Sequence, residues 1–159
     1  MNDGGLIKLH LDLPNHWRHK GESLWAKPVG ADRYEIRNVP FCAYGLNFGD
    51  VVLATRDDPD LKPEIRRVVT GSGHQTLRMF FTHGVEQAQQ GAALERLIAM
   101  GVEVERADAR FVCLDLPPEA DYQAVRGVLD TWETERLLAY ETCEARVEGS
   151  FDACPGEND

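Results

Sequence analysis

The chain has 159 residues, 43% of them hydrophobic and 28% charged, and a net charge of −10 at neutral pH. That is enough apolar matter for one ordinary domain or two small lobes, and too much for a disordered chain. The apolar runs are only a few residues long, which excludes a membrane-spanning helix, and residues 1–5 lack the basic and apolar stretches of a secretory signal, so none is expected.

Residues 6–13 alternate, with Ile7, Leu9, Leu11 and Leu13 on one side and Leu6, Lys8, His10 and Asp12 on the other. This predicts a half-buried strand stopped by Pro14-Asn15. Residues 22–29 and 33–39 read as a hairpin around Gly30-Ala31-Asp32. Residues 40–50 hold Pro40, Phe41, Tyr44 and Phe48 with Gly45 and Gly49, the composition of an ordered loop packed by its own rings. Together with Trp25, these rings are expected to fill the core of a small barrel. Strands follow at 51–55, 65–70 and 75–81, separated by a polar loop at 56–63 and by the turn Gly71-Ser72-Gly73. Six short strands with tight turns point to a small barrel or a strongly bent sheet.

The period then changes. Leu94, Leu97 and Ile98 recur at helical spacing within 85–100, and Gly101 supplies a stop. Residues 102–107 and 110–116 read as strands, and Pro117-Pro118 breaks the chain. Tyr122, Val125, Leu129 and Trp132 form the apolar stripe of a helix over 119–136. A last strand is expected over 137–147. Counted from 75–81, the order is β-α-β-β-α-β, the ferredoxin-like split βαβ pattern. The expected fold class is therefore α+β. A small β-barrel-like or bent-sheet lobe spans 1–74, a ferredoxin-like lobe spans 75–147, and a flexible acidic tail spans 148–159. The helices cover one face of the second sheet; the other face is expected to pack on the first lobe.

Charge divides where the period does. Residues 1–81 carry 11 Lys/Arg against 10 Asp/Glu, a balance of +1, and residues 82–159 carry 6 against 17, a balance of −11. So acidic a half repels nucleic acid and anionic lipid and attracts basic proteins. Neither nucleic acid nor a membrane is expected as a partner. Cys42, Cys113, Cys143 and Cys154 form no CxxC pair and are expected as reduced thiols of a cytoplasmic protein. Cys113 and Cys143 are placed inside strands as small apolar groups.

Few residues suggest chemistry. His10, His16 and His19 interleave with Trp17, Arg18 and Lys20, but no carboxylate or cysteine stands at a familiar ligand spacing. The stretch reads as a solvated basic loop, and no metal or cofactor is expected. Ser72 and His74 stand too close on a turn for a nucleophile–base pair, and a strand rather than a helix follows them. Tyr44, Asp50, Arg67, Ser72 and His74 come from separate strands and turns, and are expected to converge only if a ligand site lies between the lobes. Glu103 and Glu105 alternate onto one strand face, and Glu133 and Glu135 close the second helix; these four are the expected docking residues for a basic partner.

Glu22-Ser23-Leu24-Trp25-Ala26, Arg33-Tyr34, Asn38-Val39-Pro40-Phe41-Cys42-Ala43-Tyr44-Gly45, Gly49-Asp50-Val51-Val52, Arg66-Arg67-Val68-Val69 and Ser72-Gly73-His74-Gln75-Thr76-Leu77-Arg78 follow one another in order. In this layout the chain resembles the bacterial family known as domain of unknown function 4265. Cys42 stands where the family pattern has a second aromatic. The resemblance implies a soluble, non-secreted bacterial protein and brings no activity, cofactor or catalytic residue. The leading functional expectation is a non-enzymatic protein-binding module, in concrete form an immunity protein or inhibitor that neutralises a basic bacterial toxin through its acidic surface. The alternative is a small-molecule-binding protein or enzyme with a site between the lobes around Arg67 and His74. The oligomeric state is left open.

Overall fold

The computed structural model describes residues 5–145 and 150–152. Cys154 and most of the tail expected over 148–159 lie outside the described residues.

Five strands close into a barrel: β1 (Ile7–Asp12), β2 (Gly21–Gly30), β3 (Arg33–Ile36), β4 (Val51–Thr55) and β5 (Glu64–Thr70). Neighbours along the chain pair antiparallel, and β5 closes on β1 through a parallel contact at His10 and Glu64. Register shifts between Pro28 and Gly30 and twice within β4 supply the bends that closure needs. Leu9, Leu24, Ala26, Ile36, Val52, Ala54 and Ile65 fill the interior with Ala43 and Leu46 from the 37–50 loop. These are small and branched aliphatics, as a five-stranded barrel's narrow interior requires. The expected aromatic core is not found. Trp25, Phe41, Tyr44 and Phe48 are only half-buried and lie outside the barrel, because a ring is too bulky for that interior. The sixth strand lies outside the barrel, in the second sheet.

That strand, β6 (Gln75–Phe81), opens a second sheet with α1 (Gln87–Ala99), β7 (Glu103–Arg106), β8 (Phe111–Leu116), α2 (Tyr122–Thr134) and β9 (Leu138–Thr142). The strand order is β7-β8-β6-β9, antiparallel throughout. The alternation along β6 sorts the two faces. Leu77, Met79 and Phe81 join Val112, Leu114, Leu116 and Leu138 under Leu97 of α1 and Val125 and Leu129 of α2. The Asp121 side chain caps α2 by accepting from Ala124 N–H at 3.0 Å. Gly101 follows α1 with a φ of +90°, as its place at a helix end predicts. Ile98, by contrast, is 53% exposed, and Gln90 takes the buried place on α1. The last strand is shorter than expected, so Cys143 lies just past β9, though still buried. Among the described residues, no helix is long and apolar enough to cross a membrane.

Candidate functional site

The helix-free face of the second sheet carries Thr76, Arg78 and Phe80 of β6, Phe111, Cys113 and Asp115 of β8, and Glu141 of β9, since these residues share register across the strands. Thr76, Arg78, Cys113, Asp115 and Glu141 are all buried. The barrel lobe covers them with the 37–50 loop and the 71–74 turn. The lobes therefore meet across polar rather than apolar surface, and the buried charges must pair to be tolerated.

Arg78 is the centre of that surface. Its residue is 1% exposed. Nε donates to Glu141 Oε2 at 2.9 Å, and Nη1 donates to the carbonyls of Ala43 at 2.9 Å and Pro40 at 3.3 Å. The guanidinium also lies 4.6 Å from the centroid of the Tyr44 ring. Glu141 Oε1 accepts from the Tyr44 hydroxyl at 2.5 Å and from Phe151 N–H at 2.9 Å. Burial, and then the bond to Glu141, push the Tyr44 phenol well above its ordinary pKa. Arg78 Nη2 is buried and has no hydrogen-bond partner among the described residues, which is unusual for a donor inside a protein.

The loop that meets Arg78 is held by a second carboxylate. Glu22 of β2 accepts from the N–H groups of Phe41, Ala43 and Cys42 at 2.6, 3.0 and 3.2 Å. Three consecutive backbone donors converging on one anion form a nest, and this one fixes where Tyr44 and the Ala43 carbonyl point.

Beside Arg78 a cleft of about 120 Å³ opens between the lobes. Phe80 stacks on Phe111 at 4.6 Å, with Phe151 edge-on to Phe80 at 5.2 Å, giving one wall of rings. The other wall is the loop His16–His19, with Tyr44 and Cys42. His16 Nδ1 accepts from the backbone N–H of His19 and Arg18 at 2.9 and 3.0 Å, so the ring is fixed as the tautomer protonated on Nε2. Burial, and then neighbouring His19, lower its pKa, which favours that neutral form. Trp17, 48% exposed, stands at the rim. Burial pushes the Cys42 thiol up to about 11, so it is a wall and not a nucleophile.

The residues singled out by sequence separate into groups. Asp50 is buried and accepts from Asn47 N–H at 2.8 Å and Ser72 N–H at 2.9 Å, tying the β3–β4 loop to the turn. The Ser72 hydroxyl donates to the Phe48 carbonyl at 2.6 Å and accepts from His74 N–H at 3.1 Å. It is committed to the turn, not aimed at the imidazole. Gly49 has a φ of +83°, and a Cβ there would stand 3.0 Å from that of Ser72, so the approach requires glycine. His74 Nδ1 lies 2.9 and 3.1 Å from the two Asp115 oxygens. Burial raises the Asp115 pKa against the lowering effect of that bond. Asp50, Ser72 and His74 thus lie together, while Tyr44 belongs to the Arg78 cluster. Arg67 is exposed on β5 opposite Leu53 and joins neither group. The four acidic residues are also parted. Glu103 and Glu105 are exposed on edge strand β7, whereas Glu133 and Glu135 lie at the end of α2 by the opposite edge, where Glu133 accepts from Tyr140 N–H at 3.1 Å. Sequence reasoning passed over Arg78, Glu141, Asp115 and Glu22. The signal was present in β6, where Thr76 and Arg78 alternate with Leu77 and Met79.

The fold and site define a two-lobed α+β protein whose lobes share a charged interior and an aromatic cleft. The chain belongs to the family described as domain of unknown function (DUF4265), whose model matches residues 22–140. Its fold is similar to that of a hypothetical protein from Neisseria gonorrhoeae, with a TM-score of 0.71 and 18% identity over 86% of this chain and 94% of that one. At that identity the likeness shows the fold alone. No curated protein matches the sequence.

Proposed function

We propose that the chain is a non-enzymatic binding protein and that the cleft between its lobes receives a small, planar, uncharged ligand bearing a carbonyl. The observation that carries this reading is Arg78 Nη2, a buried donor without an acceptor among the described residues, beside a cleft walled by aromatic rings. Rings offer stacking area, and the unpaired N–H calls for an acceptor. An anion suits the cleft less well, because Glu141, Asp108 and Asp152 line it with Arg18 and Arg78. Calorimetry with benzamide, benzoate and benzylammonium tests the reading. Benzamide is expected to bind most tightly and Trp17→Ala to weaken it; equal affinity for all three probes, or none, counts against the proposal.

The acidic half supports a second reading, in which it docks a basic protein such as a toxin, as an immunity protein would. The balance of −11 over residues 82–159 favours it, with Glu103 and Glu105 on a free strand edge. Capture of a basic partner that weakens with salt and with Glu103→Gln/Glu105→Gln supports this; indifference to both removes it. The strand order β7-β8-β6-β9 supports placing the second lobe in the ferredoxin-like class, and free thiols at Cys42, Cys113 and Cys143 suit a cytoplasmic setting.

A further inference from the structure

We infer that His10, Asp12 and Glu64 form a divalent-cation site on the seam that closes the barrel. His10 and Asp12 lie two residues apart on the outward face of β1. Glu64 opens β5, 52 residues beyond Asp12 in sequence, and reaches them only because β5 pairs parallel with β1 at His10. His10 N–H donates to the Pro63 carbonyl at 2.9 Å, which sets that register. One donor atom from each side chain lies within 4.8 Å of the others. His10 Nε2 is 3.0 Å from Asp12 Oδ1 and 3.9 Å from Glu64 Oε2. A first-row ion with bonds of about 2.1 Å needs ligand separations of roughly 3.0–3.4 Å, so a small rotation of Glu64 completes the set.

Two features show that the arrangement is built. Asp12 N–H donates to Glu64 Oε1 at 3.1 Å, leaving Oε2 toward the imidazole. Gly21, the cross-strand partner of Asp12, has no side chain where the ring lies: a Cβ there would stand 2.2 Å from His10 Cε1 and 2.7 Å from Nε2. The backbone of β2 is therefore the bed of the imidazole. Gly21 has no positive φ, so room for the ring, not backbone freedom, accounts for glycine there.

One imidazole and two carboxylates suit a borderline ion such as zinc, nickel or cobalt rather than calcium, which takes oxygen ligands alone. The side chains are 35%, 76% and 22% exposed for His10, Asp12 and Glu64, so water completes the shell. On binding, the Nε2 proton now shared with Asp12 gives way to the ion, and Nδ1 carries the proton instead. The opposing charge nearby is Lys62, whose ammonium donates to Ser23 Oγ at 2.9 Å across from His10; Lys8 on the same face is turned to the Trp25 ring at 5.0 Å. An ion here links β1 to β5, so it stabilises the closed barrel by mass action.

The test is calorimetry with Zn²⁺ on the EDTA-stripped chain, with the cobalt-substituted spectrum as a second readout. One saturable equivalent is expected, together with a thermal midpoint that rises with Zn²⁺ and falls back with EDTA. Glu64→Gln keeps an acceptor for Asp12 N–H and is expected to weaken binding at least tenfold, as is His10→Gln. Gly21→Ala evicts the ring without removing a ligand and is expected to do the same, with far-UV circular dichroism confirming that each variant is folded. His83→Ala, on an exposed histidine away from both the seam and the cleft, leaves binding unchanged. No saturable binding, binding kept in folded Glu64→Gln, or binding lost in His83→Ala overturns the assignment.

Discussion

Glu141→Ala tests the charged interior between the lobes. The substitution removes the acceptor of Arg78 Nε, of the Tyr44 hydroxyl and of Phe151 N–H in one step. Arg78 is 1% exposed and cannot recover its hydration without opening the interface. Removing one partner of a buried pair costs about 3–5 kcal/mol. A chain of this size loses roughly 2–4 °C per kcal/mol, so the midpoint falls by about 6–20 °C. Urea unfolding followed by circular dichroism measures the first quantity, and a thermal scan the second. Glu141→Gln, which retains an acceptor, is expected to lose less. The double variant Arg78→Met/Glu141→Leu is expected to recover much of the loss, because it removes the stranded charge as well as its partner. A loss below about 1 kcal/mol in Glu141→Ala, or a double variant no more stable than the single, refutes the claim that a buried ion pair joins the lobes.

Three further outcomes follow from the same geometry. Burial holds Cys143 at about 12, Cys42 at about 11 and Cys113 higher still, so these thiols should react slowly with Ellman's reagent at pH 8 and at ordinary rates in urea; fast native reaction at all three contradicts the burial. Tyr44→Phe removes one of the two donors to Glu141 Oε1 and leaves Phe151 N–H as the other, at a cost of about 1.5–3 kcal/mol for a bond to a charged group, and ultraviolet titration of the parent chain should show Tyr44 ionising only as the protein unfolds. Asp115 has a folded-state pKa raised above 3.8, first by burial. The native state therefore binds more protons than the unfolded state between that value and the raised one. This group's contribution to stability is full below the window and is lost as pH rises through it. Asp115→Asn removes this falling term, so its urea-measured stability should climb more steeply from pH 4 to 6 than the parent's; an identical slope contradicts the assignment.

Most of the fold was legible because its local signals agree with its tertiary demands. The alternation of Leu9 with His10 and of Leu77 with Arg78, the stop at Gly101 and the stripe from Val125 to Leu129 each dictate one answer. The barrel's closure was harder to read. Strand 75–81 looks like the five before it; the β-α-β-β-α-β order counted from it points to the second lobe, and its partners, Cys113 across from Arg78 and Tyr140 across from Met79, lie in the second sheet. The aromatic loop was misplaced for a steric reason: the interior left by five strands accepts Ala43 and Leu46 but not Phe41 or Tyr44. The site was half legible. Asp50, Ser72 and His74 meet, but the acid facing the imidazole is Asp115, 41 residues from His74. Likewise Arg78 and Glu141 lie 63 residues apart, and spacing along the chain carries no sign of such pairs.

The most direct test of the cleft as the binding site is a ¹H–¹⁵N titration of the labelled chain with benzamide. Saturable shifts confined to Trp17, His19, Phe41, Tyr44, Phe111 and Phe151 are predicted, with the Arg78 guanidinium Nη resonances moving in step. Shifts confined to β7 around Glu103 and Glu105, or no saturable shift at all, would contradict the account.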